Sequence, residues 1–171
     1  AALAALTILS VNWVTVAHLK EVYDGLIFET NIPGELNSII NFFALFAFLI
    51  NLIRELIKDA EDVEGDTCTG CRTLPVVAGF GKTRILLLTM ILITLVAINL
   101  FFFNDLHQNH WTGGVYLLFF IMVPLTWLGY IILKAKNKND FSRASFLSKA
   151  IMISGTAYAL VWMLQFKLLY Q

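Results

Sequence analysis

The chain has 171 residues, of which 58% are hydrophobic and 14% charged, and its formal net charge is zero. Soluble domains are about 45 to 50% apolar, so this composition, with a mean hydropathy of +0.76, excludes an ordinary soluble protein and predicts an integral membrane protein. The basic residues do not gather on one face, so the sequence does not indicate nucleic-acid binding.

Five apolar stretches are long enough to cross a bilayer as helices, which takes about 20 residues. In chain order they cover residues 1–17, 36–57, 85–103, 115–133 and 146–166. None shows the two-residue alternation of a membrane β-barrel. The sequence therefore predicts an all-α, polytopic bundle of transmembrane helices. The polar residues within these spans are expected to form hydrogen bonds between helices, and they are Asn12, Asn41, Asn99 and Gln165.

Basic residues are concentrated around two of the connections between these spans. Five surround the second-to-third connection and five the fourth-to-fifth, and the ten are Arg54, Lys58, Arg72, Lys82, Arg84, Lys134, Lys136, Lys138, Arg143 and Lys149. Cytoplasmic loops carry an excess of Lys and Arg. Both connections are therefore predicted to be cytoplasmic, and the C-terminus to lie on the opposite side. Aromatic belts are expected at Trp111 and Tyr116 near one boundary and at Trp127 and Tyr130 toward the other.

The second-to-third connection begins with six acidic residues between Glu55 and Asp66, at the end of the second span. On a helix with about 100° per residue, five polar residues fall within an arc of roughly 80°, namely Asn51, Glu55, Asp59, Asp62 and Asp66. The opposite side carries Ile53, Leu56, Ile57 and Ala60. Arg54 and Lys58 flank the acidic face, but two cations do not neutralise six carboxylates. A divalent metal ion is the predicted remaining partner.

Other interpretations of this segment are open from the residues alone. An acidic run beside a membrane is also typical of a solvated juxtamembrane helix. Cys68 and Cys71 form a CTGC sequence, but zinc would need further ligands, and the histidines fall on the opposite predicted side. Ordinary reduced cytoplasmic thiols are expected instead. The spacing of oxygen ligands after Asp59 does not fit an EF-hand loop.

A longer stretch of this connection resembles a known motif. The string RELIKDAEDVEGD at 54–66, with GCRTLP and VVAGFGK after it, resembles the second aspartate-rich motif of UbiA-type intramembrane prenyltransferases. Its form looks most like that of the digeranylgeranylglyceryl phosphate synthases. The family has nine transmembrane helices, so the resemblance implies that the five spans here correspond to the fifth through ninth. The chain is then the C-terminal part of a single transmembrane domain, with residues 58–84 as its cytoplasmic catalytic loop.

The resemblance also implies a role for each polar residue of the acidic face. Asp59, Asp62 and Asp66 are the expected catalytic and metal-binding residues, which hold Mg²⁺, or Mn²⁺ as an alternative, against a prenyl diphosphate. The expected substrate-binding residues are Asn51, Arg54, Glu55, Lys58 and Arg72. Cys71 is a departure, because many relatives carry Arg at this place in the form GRRTLP.

The expected activity is metal-dependent transfer of a prenyl group, geranylgeranyl being the first candidate, to a lipid-like acceptor such as geranylgeranylglyceryl phosphate. Alternatives are an aromatic acceptor, as in quinone, chlorophyll or haem biosynthesis, and a non-catalytic membrane scaffold. The first aspartate-rich motif, N-D-x-x-D-x-x-x-D, does not occur in these residues. The chain is therefore expected to need the missing N-terminal helices and to be inactive alone.

Overall fold

The structure is a computed structural model that describes residues 1–22, 32–107, 111–135 and 138–169. These residues form helices, and no strand occurs among them. The elements are α1 (Ala2–Val22), α2 (Ile32–Glu61), α3 (Val63–Thr69), α4 (Leu74–His107), α5 (Trp111–Tyr116), a π-helical turn (Leu117–Met122), α6 (Val123–Lys134) and α7 (Lys138–Leu169). The predicted all-α class is confirmed.

Within the described residues, four helical stretches are long and apolar enough to cross a membrane: Asn37–Glu61, Leu74–Phe103, Thr112–Lys134 and Lys138–Leu164. They correspond to the second to fifth predicted spans, of which the second begins one residue earlier and the fifth ends two residues later than the observed stretch. The first predicted span is also helical, but its apolar part, Ala2–His18, is shorter than the other four. The protein is an integral membrane protein with several spans.

Large apolar side chains cover much of the helical surface. Leu100 is 69% exposed and Phe146 is 76% exposed. A soluble protein rarely exposes so many large apolar groups, because each one costs free energy in water. In a bilayer the same apolar side chains contact the hydrocarbon chains of the lipids, which are also apolar. The exposed surface therefore agrees with the membrane assignment made from composition.

The chain divides into two compact units, Ala1–Leu49 and Ile50–Gln171. In the first unit, the side-chain amide of Asn12 donates a hydrogen bond to Asn37 Oδ1 at 2.8 Å. Asn12 is 7% exposed, and this part-buried bond joins α1 to α2, as predicted for Asn12. The assignment of residues 1–171 to one domain stays a prediction.

The other polar residues of the spans behave differently from Asn12. Asn99 donates to Leu95 O of its own helix at 3.0 Å, because an amide can reach the carbonyl four residues earlier along the helix. Asn41 is exposed. The side chain of Gln165 lies outside the described part of the chain.

In the second unit, α4, α6 and α7 pack together, and α6 contacts both of the other two helices. Leu87 of α4, Leu128 of α6 and Ile151 of α7 are among its fully buried side chains. Thr112–Lys134 is continuous but includes the π-helical turn, which ends immediately before Val123 and Pro124. Proline lacks an N–H and crowds the preceding turn, and π-helical geometry occurs mostly as single turns inside α-helices.

The connection before α4 is shorter than the sequence predicts. α4 begins at Leu74, well before the predicted start of the third span at Ile85, and Pro75 in its first turn is a favourable helix start. Gly79 interrupts the helix with φ 80° and ψ 160°. Thr83 donates to Gly79 O at 3.0 Å, which satisfies a carbonyl at the interruption. The last part of the predicted connection 58–84, from Leu74 onward, is therefore helical.

Candidate functional site

The candidate site lies where the end of α2, the short helix α3 and the start of α4 follow one another. Asn51, Glu55 and Asp59 are spaced by four residues along continuous α-helix, so they share one face. On the opposite side, Ile53 and Ile57 are fully buried. The predicted division of this helix into a polar and an apolar face is confirmed.

Asp62 separates α2 from α3. Its backbone leaves helical geometry, with φ −99° and ψ 9°, whereas the sequence predicts one continuous helix through Asp66. The ladder of hydrogen bonds nevertheless continues across the break. Asp62 N donates to Lys58 O at 3.0 Å, and Asp66 N donates to Asp62 O at 2.9 Å. Asp62 and Asp66 are therefore held to the end of α2 by helix-like hydrogen bonds.

Helix α3 ends at Gly70, which has a left-handed φ of 73°. Gly70 N donates to Thr67 O at 3.4 Å, and Cys71 N donates to Asp66 O at 2.9 Å. These two bonds form a Schellman motif, which ends a helix and reverses the chain. Glycine suits this position because a left-handed φ costs it no steric energy. The motif turns residues 71–73 back along α3.

The reversal brings Thr73 onto the acidic face. Thr73 Oγ1 donates to Asp66 Oδ2 at 2.9 Å, so Asp66 is held through its carbonyl by Cys71 and through its carboxylate by Thr73. We call this pair of contacts the Asp66 clasp. A hydrogen bond to a charged acceptor is among the stronger ones in proteins. The clasp therefore sets the direction in which one Asp66 oxygen points.

Negative charge is concentrated around Asp59. Its carboxylate is repelled by those of Asp66, Glu55 and Asp62 and is attracted to the ammonium group of Lys58. The predicted metal ligands Asp59, Asp62 and Asp66 are all half-buried. Partial burial weakens the screening of their charges by water. The predicted carboxylates therefore interact electrostatically with one another and form one group of negative charges.

This group is not a closed metal cage. Among the described residues, no three His, Cys, Asp or Glu side chains are arranged so as to hold a metal ion. Mg²⁺ is usually bound in another way, through one or two carboxylates together with substrate phosphates and water. The hard oxygen donors of the acidic face fit that mode of binding, in which the substrate supplies part of the coordination.

The predicted phosphate-binding residues lie along the same segment. Arg54 is half-buried and Lys58 is exposed, both on α2, while the exposed Arg72 lies between α3 and α4. Arg72 directly precedes Thr73 in the chain. The turn that positions Thr73 in the Asp66 clasp therefore also carries the guanidinium group of Arg72. The structure therefore offers positive charge from α2 and from the turn between α3 and α4.

Thr73 is not among the site residues predicted from the sequence. A Thr immediately before a helix with Pro in its first turn is typical of a helix N-cap, and Val77 N does donate to Thr73 O at 3.0 Å. The hydroxyl, however, donates to Asp66. The useful signal was the glycine at position 70, because a C-terminal glycine followed by a short connection indicates a reversal of the chain.

The cysteines of the CTGC sequence, Cys68 and Cys71, are free and exposed. Thr69 Oγ1 donates to Cys71 Sγ at 3.4 Å. The departure at Cys71 from the GRRTLP form therefore places a thiol, without positive charge, at the end of α3. Arg72 is the guanidinium that this turn retains.

The chain is similar to curated proteins named digeranylgeranylglyceryl phosphate synthase. It is 35% identical over 133 residues to that of Korarchaeum cryptofilum, a match that covers 76% of this chain and 46% of the relative. It is 28% identical over 145 residues to that of Methanosphaera stadtmanae, covering 83% and 49%. It is 32% identical over 110 residues to that of Thermococcus kodakarensis, covering 62% and 36%.

In each of these comparisons the matched part of the chain spans about half the length of the relative or less. No family model matches the chain, and no solved structure gives a significant match. The resemblance predicted from the acidic segment is confirmed by these relatives. The chain is therefore a homologue of the digeranylgeranylglyceryl phosphate synthases, which are UbiA-type prenyltransferases.

Proposed function

We propose that the protein containing this chain transfers a prenyl group from a prenyl diphosphate to the hydroxyl group of a glycerophosphate lipid, such as geranylgeranylglyceryl phosphate. The observation that carries the proposal is the electrostatic group of carboxylates around Asp59, with Asp66 oriented by its clasp, next to helices that expose apolar surface. The names of the relatives support this acceptor over an aromatic one.

The reaction breaks the allylic C–O bond of the prenyl diphosphate, and the electron pair leaves with the diphosphate. A new C–O bond forms between the prenyl carbon and the acceptor oxygen, and the acceptor hydroxyl loses its proton. The difficulty is the negative charge that develops on the leaving diphosphate. Groups that bind this charge more tightly as it grows accelerate the reaction.

In the proposed site, Asp59, Asp62 and Asp66 supply the carboxylates that would hold Mg²⁺, or Mn²⁺, together with the diphosphate oxygens, and the ion would supply positive charge to the diphosphate. Arg54, Lys58 and Arg72 donate hydrogen bonds to the phosphate oxygens. The Thr73 hydroxyl keeps Asp66 oriented before the substrate arrives. The isoprenoid chain needs only apolar walls, and the membrane-spanning helices provide them.

We also propose that Asn51 and Glu55 contribute to the substrate-binding face, because they share the side of α2 that carries Asp59. The need for a first aspartate-rich motif on additional helices belongs to this proposal. The experiment therefore uses the full-length protein.

The test supplies the full-length protein in detergent with geranylgeranyl diphosphate and, in separate reactions, geranylgeranylglyceryl phosphate or an aromatic acceptor, and product is measured by mass spectrometry. Turnover is expected to disappear in excess chelator and to return with Mg²⁺ or Mn²⁺, because hard oxygen ligands suit these ions. Asp59→Asn is expected to lower turnover by about a hundredfold or more, as when one transition-state contact is lost.

The matched control is Glu64→Gln, since Glu64 is an exposed acidic residue of α3 outside the proposed ligand set. It should retain turnover. Asp59→Asn should not lower thermal stability, because it removes a carboxylate repelled by three others. Full activity in excess chelator would contradict the proposed role of the metal ion. Product from an aromatic acceptor alone would contradict the proposed acceptor. No turnover with any acceptor would favour the hypothesis of a non-catalytic scaffold.

A further inference from the structure

A second polar site lies between α6 and α7, away from the acidic face. It is a pocket of ≈ 290 Å³ lined by Trp127, Tyr130, Ile131 and Lys134 of α6 and by Asp140 and Arg143 of α7. None of these residues belongs to the proposed prenyl diphosphate site. The pocket combines an aromatic and aliphatic wall with charged groups at one end of two membrane-spanning helices.

The packing around the pocket holds its two helices in place. Ala135, which directly follows Lys134, is fully buried, and its carbonyl accepts a hydrogen bond from Arg84 Nη2 of α4. Phe80 of α4 stacks on Phe141 of α7, with ring centroids 5.9 Å apart. The end of α6 and the start of α7 are thus both attached to α4. The pocket is therefore formed before any ligand binds.

The cations of the pocket are positioned to receive an anion. The Lys134 ammonium lies 4.4 Å from the centroid of the Tyr130 ring and donates to Tyr130 Oη, and an ammonium group has three donors in all. Arg143 is exposed, and a guanidinium presents a planar set of donors that matches phosphate oxygens. Two cations and the one carboxylate of Asp140 leave a net lining charge of about +1, which suits the single negative charge of a phosphodiester.

The wall of the pocket favours a lipid over a soluble anion. Trp127 is 60% exposed and Tyr130 is 47% exposed, and their rings lie 5.6 Å apart. Trp and Tyr concentrate at the boundary between hydrocarbon and head groups, and basic pockets between transmembrane helices bind anionic lipid head groups. A volume of ≈ 290 Å³ accommodates a head group, while the lipid chains continue over the exposed aromatic side chains.

We propose that this pocket binds the phosphodiester head group of an anionic membrane lipid between Lys134 and Arg143. The glycerol and the first part of the chains lie against Trp127 and Ile131. This site is independent of the proposed prenyl transfer, because it uses none of the same residues.

The test measures fluorescence quenching of the full-length protein in nanodiscs by lipids with brominated chains. Phosphatidylglycerol with brominated chains is titrated into phosphatidylcholine, and the signal of Trp127 is obtained by subtracting the Trp127→Phe variant. Quenching by phosphatidylglycerol is expected at lower mole fraction than quenching by brominated phosphatidylcholine. Arg143→Gln is expected to weaken this preference about fivefold, the usual effect of one cation near an anionic head group.

The matched control is Lys149→Gln, which removes an exposed cation from the same helix outside the pocket. It should retain the preference, whereas Lys134→Gln should weaken the preference about as much as Arg143→Gln does. Equal quenching by the two lipids would overturn the proposal, as would an equal loss in Lys149→Gln. Displacement of phosphatidylglycerol by inorganic phosphate at constant ionic strength would also overturn it, since the ligand would then be a soluble phosphate.

Discussion

Asp66 is the carboxylate of the acidic face whose orientation is most directly determined. Cys71 N donates to its carbonyl at 2.9 Å, and Thr73 Oγ1 donates to its carboxylate at 2.9 Å. A ligand that is already oriented loses less conformational entropy when the metal and the diphosphate bind. Thr73 is therefore a positioning residue in the proposed site, acting through Asp66.

Thr73→Val removes the hydroxyl and keeps the shape of the side chain. We expect turnover to fall about tenfold, because a hydrogen bond to a charged group contributes about 1.5 kcal/mol or more. The concentration of Mg²⁺ needed for half-maximal turnover should rise, which a purely structural role would not require. Steady-state kinetics over a range of Mg²⁺ concentrations measures both quantities.

Thr73→Ser should restore turnover, because it restores the donor. Thr67→Val is the matched control, since the Thr67 hydroxyl donates to Val63 O of its own helix at 2.7 Å. An unchanged Mg²⁺ requirement in Thr73→Val would show that the clasp does not act on the metal site.

Among the helices, α3 depends most on the geometry of its ends. It has seven residues, all described by the structure, and none of them is buried. Apolar packing therefore contributes little to its stability, and short helices are marginal by themselves. The Schellman motif at Gly70 defines where α3 stops and where residues 71–73 turn back.

Gly70→Ala is expected to loosen this end of α3. The φ of 73° is left-handed, and a side chain there costs about 1 to 2 kcal/mol. Amide hydrogen exchange across residues 66–73 should become faster, and turnover should fall with it, because the Asp66 clasp depends on the reversal. Exchange followed by mass spectrometry of the full-length protein measures the first effect.

Gly65→Ala provides the comparison within the same helix. Gly65 lies inside α3, and an added Cβ would meet no atom of the described residues within 4 Å. Alanine favours a helix over glycine by about 1 kcal/mol, so exchange should be unchanged or slower. Equal protection in Gly70→Ala and the wild type would refute the role given to the C-cap.

At the scale of the whole molecule, the distribution of charge predicts the orientation in the membrane. Ten of the basic residues surround two connections, and only Lys20 and Lys167 lie elsewhere. Placing either connection on the far side would put five cations on the side that usually carries few. The acidic face is therefore predicted to meet the cytoplasm, where a charged diphosphate reaches it without crossing lipid.

Cys68 and Cys71 report this orientation, because both thiols are free and exposed. A membrane-impermeant maleimide is expected to label them in inverted vesicles and not in intact cells. With both cysteines replaced by Ser, Gln171→Cys should give the opposite result, since the C-terminus is predicted to lie outside. Labelling of Cys68 or Cys71 from outside intact cells would reverse the predicted topology.

The membrane class, the helical class and the polar and apolar faces at the end of α2 are predictable from the sequence alone. Each of these properties depends on residues that are adjacent in the chain. Hydropathy indicates the membrane class, the length of the apolar runs indicates helical spans, and the helical period indicates the two faces of α2. The resemblance of residues 54–66 to a known motif likewise rests on adjacent residues, and the relatives confirmed it. Hydropathy alone does not predict where α4 begins, because Pro75 permits the helix to start before the most apolar part of the span.

Contacts between residues that are far apart in the chain depend on how the helices fold and pack. The Thr73 hydroxyl reaches Asp66 because the chain reverses at Gly70. Thr73, which resembles a helix N-cap in the sequence, therefore becomes part of the candidate site. Arg84 and Ala135 are 51 positions apart, yet their contact attaches α4 to the end of α6. The pocket of Lys134 and Arg143 exists because two helices pack side by side, and packing of this kind depends on side chains from several helices at once.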